Sequence, residues 1–396
     1  MISPSFLKPY LNWKYLNRDQ LAGFDRYKYK SIDTSPVSNY ITHPFWNFVV
    51  KFFPLWLAPN VLTFVGWLLV MSIFLINSYY DPHFKAGLGK HTGYYIPSLW
   101  WVLFAVAQFV SHTLDGIDGK QARRTSSSSP LGELFDHGLD SSAVWLITLG
   151  LFSVFGHGVG SITVWEFYLI DVVCLIGFYL AHWEKYNTGV LNLPWAYDAS
   201  QLSITIVYLM TFALGVEFWK TQVNIYDLEL QYSDAFRIIV YASCAFITFP
   251  MCAYSVYVAH VTNAGRGVSF MEGLAPFLPL VALFGMFTFW AVISPSDILY
   301  NQSRLFLTSL GIVYSNITCR LIVSTMCNQQ CERFNHLLYP LAVVLLLVPF
   351  LHVGGEYIAL GLYTLIVAVL HIHYGIGVVN ELCDHLKIHC FSLKKL

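Results

Sequence analysis

Four carboxylates, Asp115, Asp118, Asp136 and Asp140, fall in the stretch DGIDGKQARRTSSSSPLGELFDHGLD. The first two are three residues apart and the last two are four apart, so on a helix each pair shares a face. An antiparallel hairpin of two such helices would gather all four anions, which repel one another and are poorly solvated beside apolar sequence. Oxygen-only ligands suit a hard divalent ion, and the four acids are read as holding two Mg2+ or Mn2+ ions. Arg123, between the pairs, offers a planar fork for phosphate oxygens. Two ions and an arginine are what phosphoryl transfer needs, because charge builds on its attacking and leaving oxygens.

His137 follows Asp136 and is the candidate base. A carboxylate bound to metal is a poor base, whereas a histidine near its normal pKa accepts a hydroxyl proton at neutral pH. Asp140 is the alternative base. Glu133 lies four residues before His137, placed to orient the ring or to hydrogen-bond a substrate. Gly119 and Gly132 each sit about one turn from a carboxylate, where a missing side chain lets a ligand or another helix approach.

The elements that must carry these residues are membrane helices. The chain of 396 residues is 56% hydrophobic and only 11% charged, where soluble domains carry roughly 25% charged residues. Apolar stretches near the ~20 residues needed to span a bilayer occur at 57–79, 98–119, 136–156, 161–183, 199–218, 236–259, 273–294, 305–326, 337–353 and 356–379. The expected fold is therefore all-α, a polytopic membrane protein of about ten transmembrane helices. Residues 40–54, too short to cross and with one aromatic side, are expected to form an N-terminal interfacial helix. Three regions follow: an arm and interfacial helix (1–56), a six-helix catalytic bundle (57–260), and four further spans with a short tail (261–396). No short apolar leader precedes the first span, so that span is expected to act as the insertion signal.

Most of the 22 Lys and Arg residues fall on the side that holds both termini and the acidic stretch, which places that side in the cytosol. No basic block suits nucleic acid, and no such partner is expected. The eight cysteines are scattered, and the lone pair Cys327 and Cys331 makes a weak zinc motif. Asp171 and Glu166 are read as structural polar contacts. Trp183 and Tyr186 are read as interfacial anchors, and His371 and His373 as packed polar groups. A divalent-cation transporter is a remote alternative. It would place acids near the bilayer midplane on broken helices.

The spacing D-x-x-D-G-x-x-A-R, eight residues, then G-x-x-x-D-x-x-x-D resembles the signature of the CDP-alcohol phosphotransferases. Here it is Asp115, Asp118, Gly119, Ala122, Arg123, Gly132, Asp136 and Asp140, without departure. LAPNVLTFVG (57–66) resembles the start of that family's first helix. HPFWN (43–47), AHWEKYNTG (181–189), SPSDIL (294–299) and HIHYG (371–375) resemble the ethanolaminephosphotransferase branch related to selenoprotein I. The resemblance implies transfer of phosphoethanolamine from CDP-ethanolamine to diacylglycerol, with choline or dual choline/ethanolamine specificity as the alternative. It implies that Asn60, Arg123, Glu133 and Gly119 contact the CDP-alcohol, that His137 deprotonates the lipid hydroxyl, and that the protein is a homodimer in the endoplasmic reticulum or Golgi membrane.

Overall fold

The computed structural model describes residues 13–158, 161–193, 195–225 and 228–395; Lys8 of the basic arm lies outside them. Twelve helices organise the chain: α1 (Arg18–Arg26), α2 (His43–Val49), α3 (Pro59–Tyr80), α4 (Ser98–Arg124), α5 (Pro130–Phe155), α6 (Val164–Thr188), α7 (Ala196–Leu214), α8 (Tyr232–Val261), α9 (Phe270–Ile293), α10 (Ser303–Met326), α11 (Leu338–Phe350) and α12 (Val353–Leu386). Each expected apolar stretch falls on one of α3 to α12. Seven of them, α3, α5, α6, α8, α9, α10 and α12, are long and apolar enough to cross a membrane, rather than the ten expected.

The three that fall short do so for visible reasons. Helix α11 is short. Helices α4 and α7 carry polar residues that satisfy one another inside the bundle. Gln108 Nε2 donates to Gln201 Oε1 at 2.6 Å, and His112 Nε2 lies 3.0 Å from Asp198 Oδ1. Polar groups buried away from water need such partners, and their presence on both helices lowers the hydropathy of each.

Helix α10 runs through the middle of the molecule and is buried along most of its length. It packs against α5, where a Cβ on Gly311 would lie 2.4 Å from the Trp145 ring. The Trp145 indole N–H donates to Ser315 Oγ at 3.1 Å. One apolar core joins Val70 of α3, Phe152 of α5, Tyr179 of α6, Phe287 of α9, Leu310 of α10 and Tyr363 of α12.

The segment expected at the interface is helical. Residues 38–52 are helical, with α2 flanked by a π turn (Ser38–Thr42) and a tighter turn (Val50–Phe52). Tyr40, Phe45, Phe48 and Phe52 face outward, while Trp46 and Val50 are buried. The arm before it is tied to the last helix. The backbone N–H groups of Tyr15 and Leu16 donate to the Glu381 carboxylate at 2.7 and 3.1 Å, and Tyr15 Oη lies 2.5 Å from His373 Nδ1. Helix α1 opens on a capping box between Asn17 and Gln20, which satisfies two of its free backbone donors. It packs Phe24 against Leu131 and Leu134 of α5, Met326 of α10 and Leu382 of α12. Beyond α12 the chain turns at Lys387, in the left-handed region at φ 57°, into an antiparallel pair, Ile388–His389 with Ser392–Lys395.

Candidate active site

Helix α4 remains helical to Arg124 and α5 begins at Pro130, so all four acids lie within helices and not at their ends. Ser129 caps α5 by accepting the N–H of Gly132, and Pro130 takes the first turn, where its missing N–H costs nothing. The turn between them includes Ser126 at φ 53°. This tight connection reverses the chain, and α4 and α5 both pack against α3.

The two helices bring Asp115, Asp118 and Asp136 together, with one carboxylate oxygen from each within 4.8 Å of the others. Asp140, one turn further along α5, lines the same cavity but stands outside that trio. Two of the trio are held from outside the hairpin. Tyr197 at the start of α7 donates its hydroxyl to Asp115 Oδ2 at 2.9 Å, and Thr63 of α3 donates to Asp118 Oδ2 at 2.5 Å. Asp136 Oδ1 is buried with no hydrogen-bond partner among the described residues. Three crowded carboxylates, all oxygen donors and one of them an orphan, fit a hard divalent cation.

A further layer fixes the helices that carry these acids. Asp198 Oδ2 accepts from Ser38 Oγ at 2.7 Å and from Thr42 Oγ1 at 2.6 Å, so the segment before α2 is fastened to the His112–Asp198 pair. The adjacent arginines of α4 divide their work. Arg124 donates to the carbonyl oxygens of Val50 and Phe53 and to Gln121 Oε1, pinning the interfacial segment. Arg123 lines the cavity, and its guanidinium has no hydrogen bond or ion pair among the described residues.

The cavity is large, about 1730 Å3, against roughly 300–1,000 Å3 for common ligand pockets. Asn60, Asp115, Asp118, Gly119, Arg123, Glu133, Asp136, His137 and Asp140 all line it. One part is therefore polar. It continues into an apolar chamber between α5, α6, α7 and α8, with Ile147, Leu151, Val173, Val207, Phe236 and Ile239 on its walls. The acids sit on unbroken helices, unlike the arrangement that a transporter reading requires.

Two of the expected contacts already have partners within the chain. Asn60 Nδ2 donates to the carbonyl of Cys390 at 3.0 Å, and Phe391 packs its ring 5.6 Å from that of Phe64 and 5.5 Å from that of Phe135. Gly132 leaves room for this corner, since a Cβ there would sit 3.6 Å from Asn60 Oδ1. Glu133 Oε1 accepts from Tyr27 Oη at 2.7 Å and pairs with Lys185 Nζ. His137 Nδ1 lies 3.9 Å from that same oxygen and Nε2 lies 3.8 Å from Asp136 Oδ2, while the ring stands 5.2 Å from His182.

Tyr27, Tyr29, Thr63, Lys185 and Tyr197 are site residues that the sequence reading passed over. Burial and the neighbouring Glu133 carboxylate hold the Tyr27 phenol well above its ordinary pKa, and burial pushes Tyr29 up to about 12. Lys185 lies beyond the expected span 161–183, but α6 extends to Thr188 and buries it. Its signal was present as His182 and Lys185, three apart, facing Glu133 and His137, four apart.

The other expectations divide. Glu166 is structural, capping α6 with Thr163 and pairing with Arg237. His371 and His373 contact Asn316 and Tyr15, as packed polar groups do. Trp183 and Tyr186 are buried rather than at an interface. The Trp183 indole N–H donates to the Gly273 carbonyl at 2.6 Å, and Tyr186 Oη accepts the Cys331 N–H at 3.2 Å. Asp171 is wholly buried and its carboxylate finds no hydrogen-bond partner among the described residues.

Comparison with known proteins follows the same lines. The CDP-alcohol phosphatidyltransferase family matches residues 56–249. Ethanolaminephosphotransferase 1 of Homo sapiens is 44% identical over 385 residues, covering 97% of this chain and 96% of the relative. The Mus musculus protein of the same name is 43% identical over the same shares. Choline/ethanolaminephosphotransferase 1 of Arabidopsis thaliana is 30% identical over 96% of this chain and 99% of its own length. With its acidic signature intact on one helical hairpin and this likeness along nearly its whole length, the chain belongs to the CDP-alcohol phosphatidyltransferase family.

Proposed function

We propose that this chain transfers phosphoethanolamine from CDP-ethanolamine to diacylglycerol, giving phosphatidylethanolamine and CMP. The observation that carries the reading is the single cavity. It joins a mouth lined by carboxylates and Arg123 to an apolar chamber among membrane helices. A charged nucleotide and a lipid can meet there without either leaving its own medium. The ethanolamine headgroup is supported by the names of the relatives at 44% and 43% identity.

In this reading Asp115, Asp118, Asp136 and Asp140 hold two Mg2+ or Mn2+ ions. Such ions neutralise charge on the diphosphate as the bond to the leaving group breaks. Thr63 and Tyr197 keep Asp118 and Asp115 aimed inward. Arg123 grips phosphate oxygens, and Asn60, Gly119 and Glu133 border the nucleotide. His137 accepts the proton of the diacylglycerol hydroxyl. The freed oxygen bonds to the β-phosphorus, the bond from that phosphorus to the bridging oxygen breaks, and CMP departs with the electron pair. The chamber beside α8 receives the acyl chains.

The same reading places about ten spans in an endoplasmic reticulum or Golgi membrane. Both termini and the catalytic mouth face the cytosol, residues 57–260 form the catalytic bundle, and the protein is a homodimer. The test is CMP release by purified protein given Mg2+ or Mn2+, diacylglycerol and either CDP-ethanolamine or CDP-choline. Turnover with CDP-ethanolamine in clear excess is expected. No CMP from either donor would overturn the enzyme assignment, and equal rates would replace ethanolamine with dual specificity.

A further inference from the structure

Helices α5 and α6 run antiparallel, and their facing residues pair in register: Glu133 with Lys185, and His137 with His182. Glu133 is held on two sides by groups from outside its own helix. Lys185 Nζ and Tyr27 Oη both donate to Oε1, and the Lys185 ammonium also sits over the rings of Tyr27 and Tyr29, 5.5 and 5.2 Å from their centroids. Lys185 is only 2% exposed and does not line the cavity, so it reaches the site through Glu133 and the rings of Tyr27 and Tyr29. Two buried atoms are left over beside this knot. Glu133 Oε2 and His137 Nδ1 have no hydrogen-bond partner among the described residues, and Nδ1 is 3.9 Å from Oε1.

The orphan Nδ1 thus stands 3.9 Å from one oxygen of a carboxylate whose other oxygen is also an orphan, about 1 Å beyond an ordinary hydrogen bond, and a small shift of the carboxylate would close the contact. Catalytic hydrogen bonds are often long before substrate binds and tighten in the loaded complex. We propose that Lys185 and Tyr27 are positioning residues for the proton-transfer step: they hold the Glu133 carboxylate against His137 Nδ1, which fixes the ring with Nε2 toward the reacting hydroxyl. This rests on the function proposed above and adds to it two residues outside the acidic signature. One comes from the end of α6 and the other from the arm that precedes the membrane bundle. It also gives the arm a task, because docking of Tyr27 completes the support of the base.

A misplacement of about 1 Å can slow catalysis by roughly 100-fold, so the loss should appear in kcat. Lys185→Met is expected to lower kcat by about 10- to 100-fold while leaving the KM for CDP-ethanolamine within about twofold of wild type. Lys185→Arg should restore much of the rate, because it returns the cation to Glu133. Lys185→Met combined with Glu133→Gln should be no slower than Glu133→Gln alone, since both act through one carboxylate. Unchanged kcat, losses that multiply in the double variant, or a loss confined to KM would each overturn the inference. A KM effect would instead assign the knot to nucleotide binding. If Lys185→Met does not fold, Tyr27→Phe removes only the phenol oxygen. It should lower kcat severalfold at constant KM, and an unchanged kcat overturns the proposal. Wild-type protein assayed alongside separates the two levels. An inactive wild type defeats the function, whereas an active wild type with unaffected variants defeats only the positioning role.

Discussion

The indole of Trp46 occupies the space that a side chain at Gly116 would need: a Cβ there would lie 2.1 Å from the ring. Gly116 adjoins Asp115, so the α2 segment and the acidic cluster meet at one contact. Gly116→Ala should push Trp46 outward and shift α4, with CMP release falling at least about tenfold because small displacements are costly at a catalytic site. Trp46→Ala combined with Gly116→Ala should recover part of that loss, measured as kcat per folded protein.

Removal of divalent metal by a chelator should abolish turnover, and added Mg2+ or Mn2+ should restore it. Asn in place of Asp115, Asp118 or Asp136 should be inactive at any metal concentration. Tyr197→Phe removes only the donor to Asp115 Oδ2. It should raise the metal concentration for half-maximal activity by about 10- to 100-fold, as losses of outer-shell partners do. Direct titration of Mn2+ binding by paramagnetic resonance provides a second readout.

Tyr29 also lines the cavity, with a phenol pushed up to about 12 by burial. A phenol with a raised pKa is neutral at all lower pH values. It carries no charge anywhere between pH 6 and 9. Tyr29→Phe should therefore leave the shape of the pH–rate profile unchanged, whatever it does to the maximum rate. A shifted limb in that range would show that Tyr29 titrates during the reaction.

A polar knot at the far end of the bundle should affect stability and not chemistry. Arg304 is buried, donates through Nε and Nη2 to the Asp81 carbonyl at 3.0 and 2.7 Å and to Ser153 Oγ at 2.6 Å, and lies 4.0 Å over the Phe84 ring. Arg304→Met strips several buried acceptors at once and should cost about 3 kcal/mol of stability. It would appear as a lower unfolding temperature in detergent, with kcat per folded molecule preserved.

Much of this site is legible along the chain because the acidic signature is local. Asp115 to Asp140 is one hairpin, and helical spacing alone predicts shared faces. What escapes comes from contacts between distant segments. Tyr27, Thr63, Lys185 and Tyr197 touch the hairpin from four other segments, and nothing near them in sequence announces it. Lys185 is hidden further by the usual reading of a charge as the end of a span, although a buried lysine with a carboxylate partner can extend the helix inward. Trp183 and Tyr186 are misread for a related reason. Aromatics at a helix end suit a lipid interface, but here the Trp183 N–H and the Tyr186 hydroxyl bond the backbone at Gly273, in the first turns of α9, and at Cys331. The count of long apolar helices falls below the expected ten at α11, which is short, and at α4 and α7, which exchange polar side chains.

The arm that carries Tyr27 is anchored by Tyr15 to Glu381, 366 residues later. During synthesis every ligand of the acidic cluster leaves the ribosome long before that anchor exists. The nascent chain can close its hairpin and thread its early helices, yet the arm lacks this anchor until α12 is in place. Contacts of such sequence separation form late. On the proposed role of Tyr27, competence for lipid synthesis would arrive with the last helix, and an unfinished or truncated chain would stay silent.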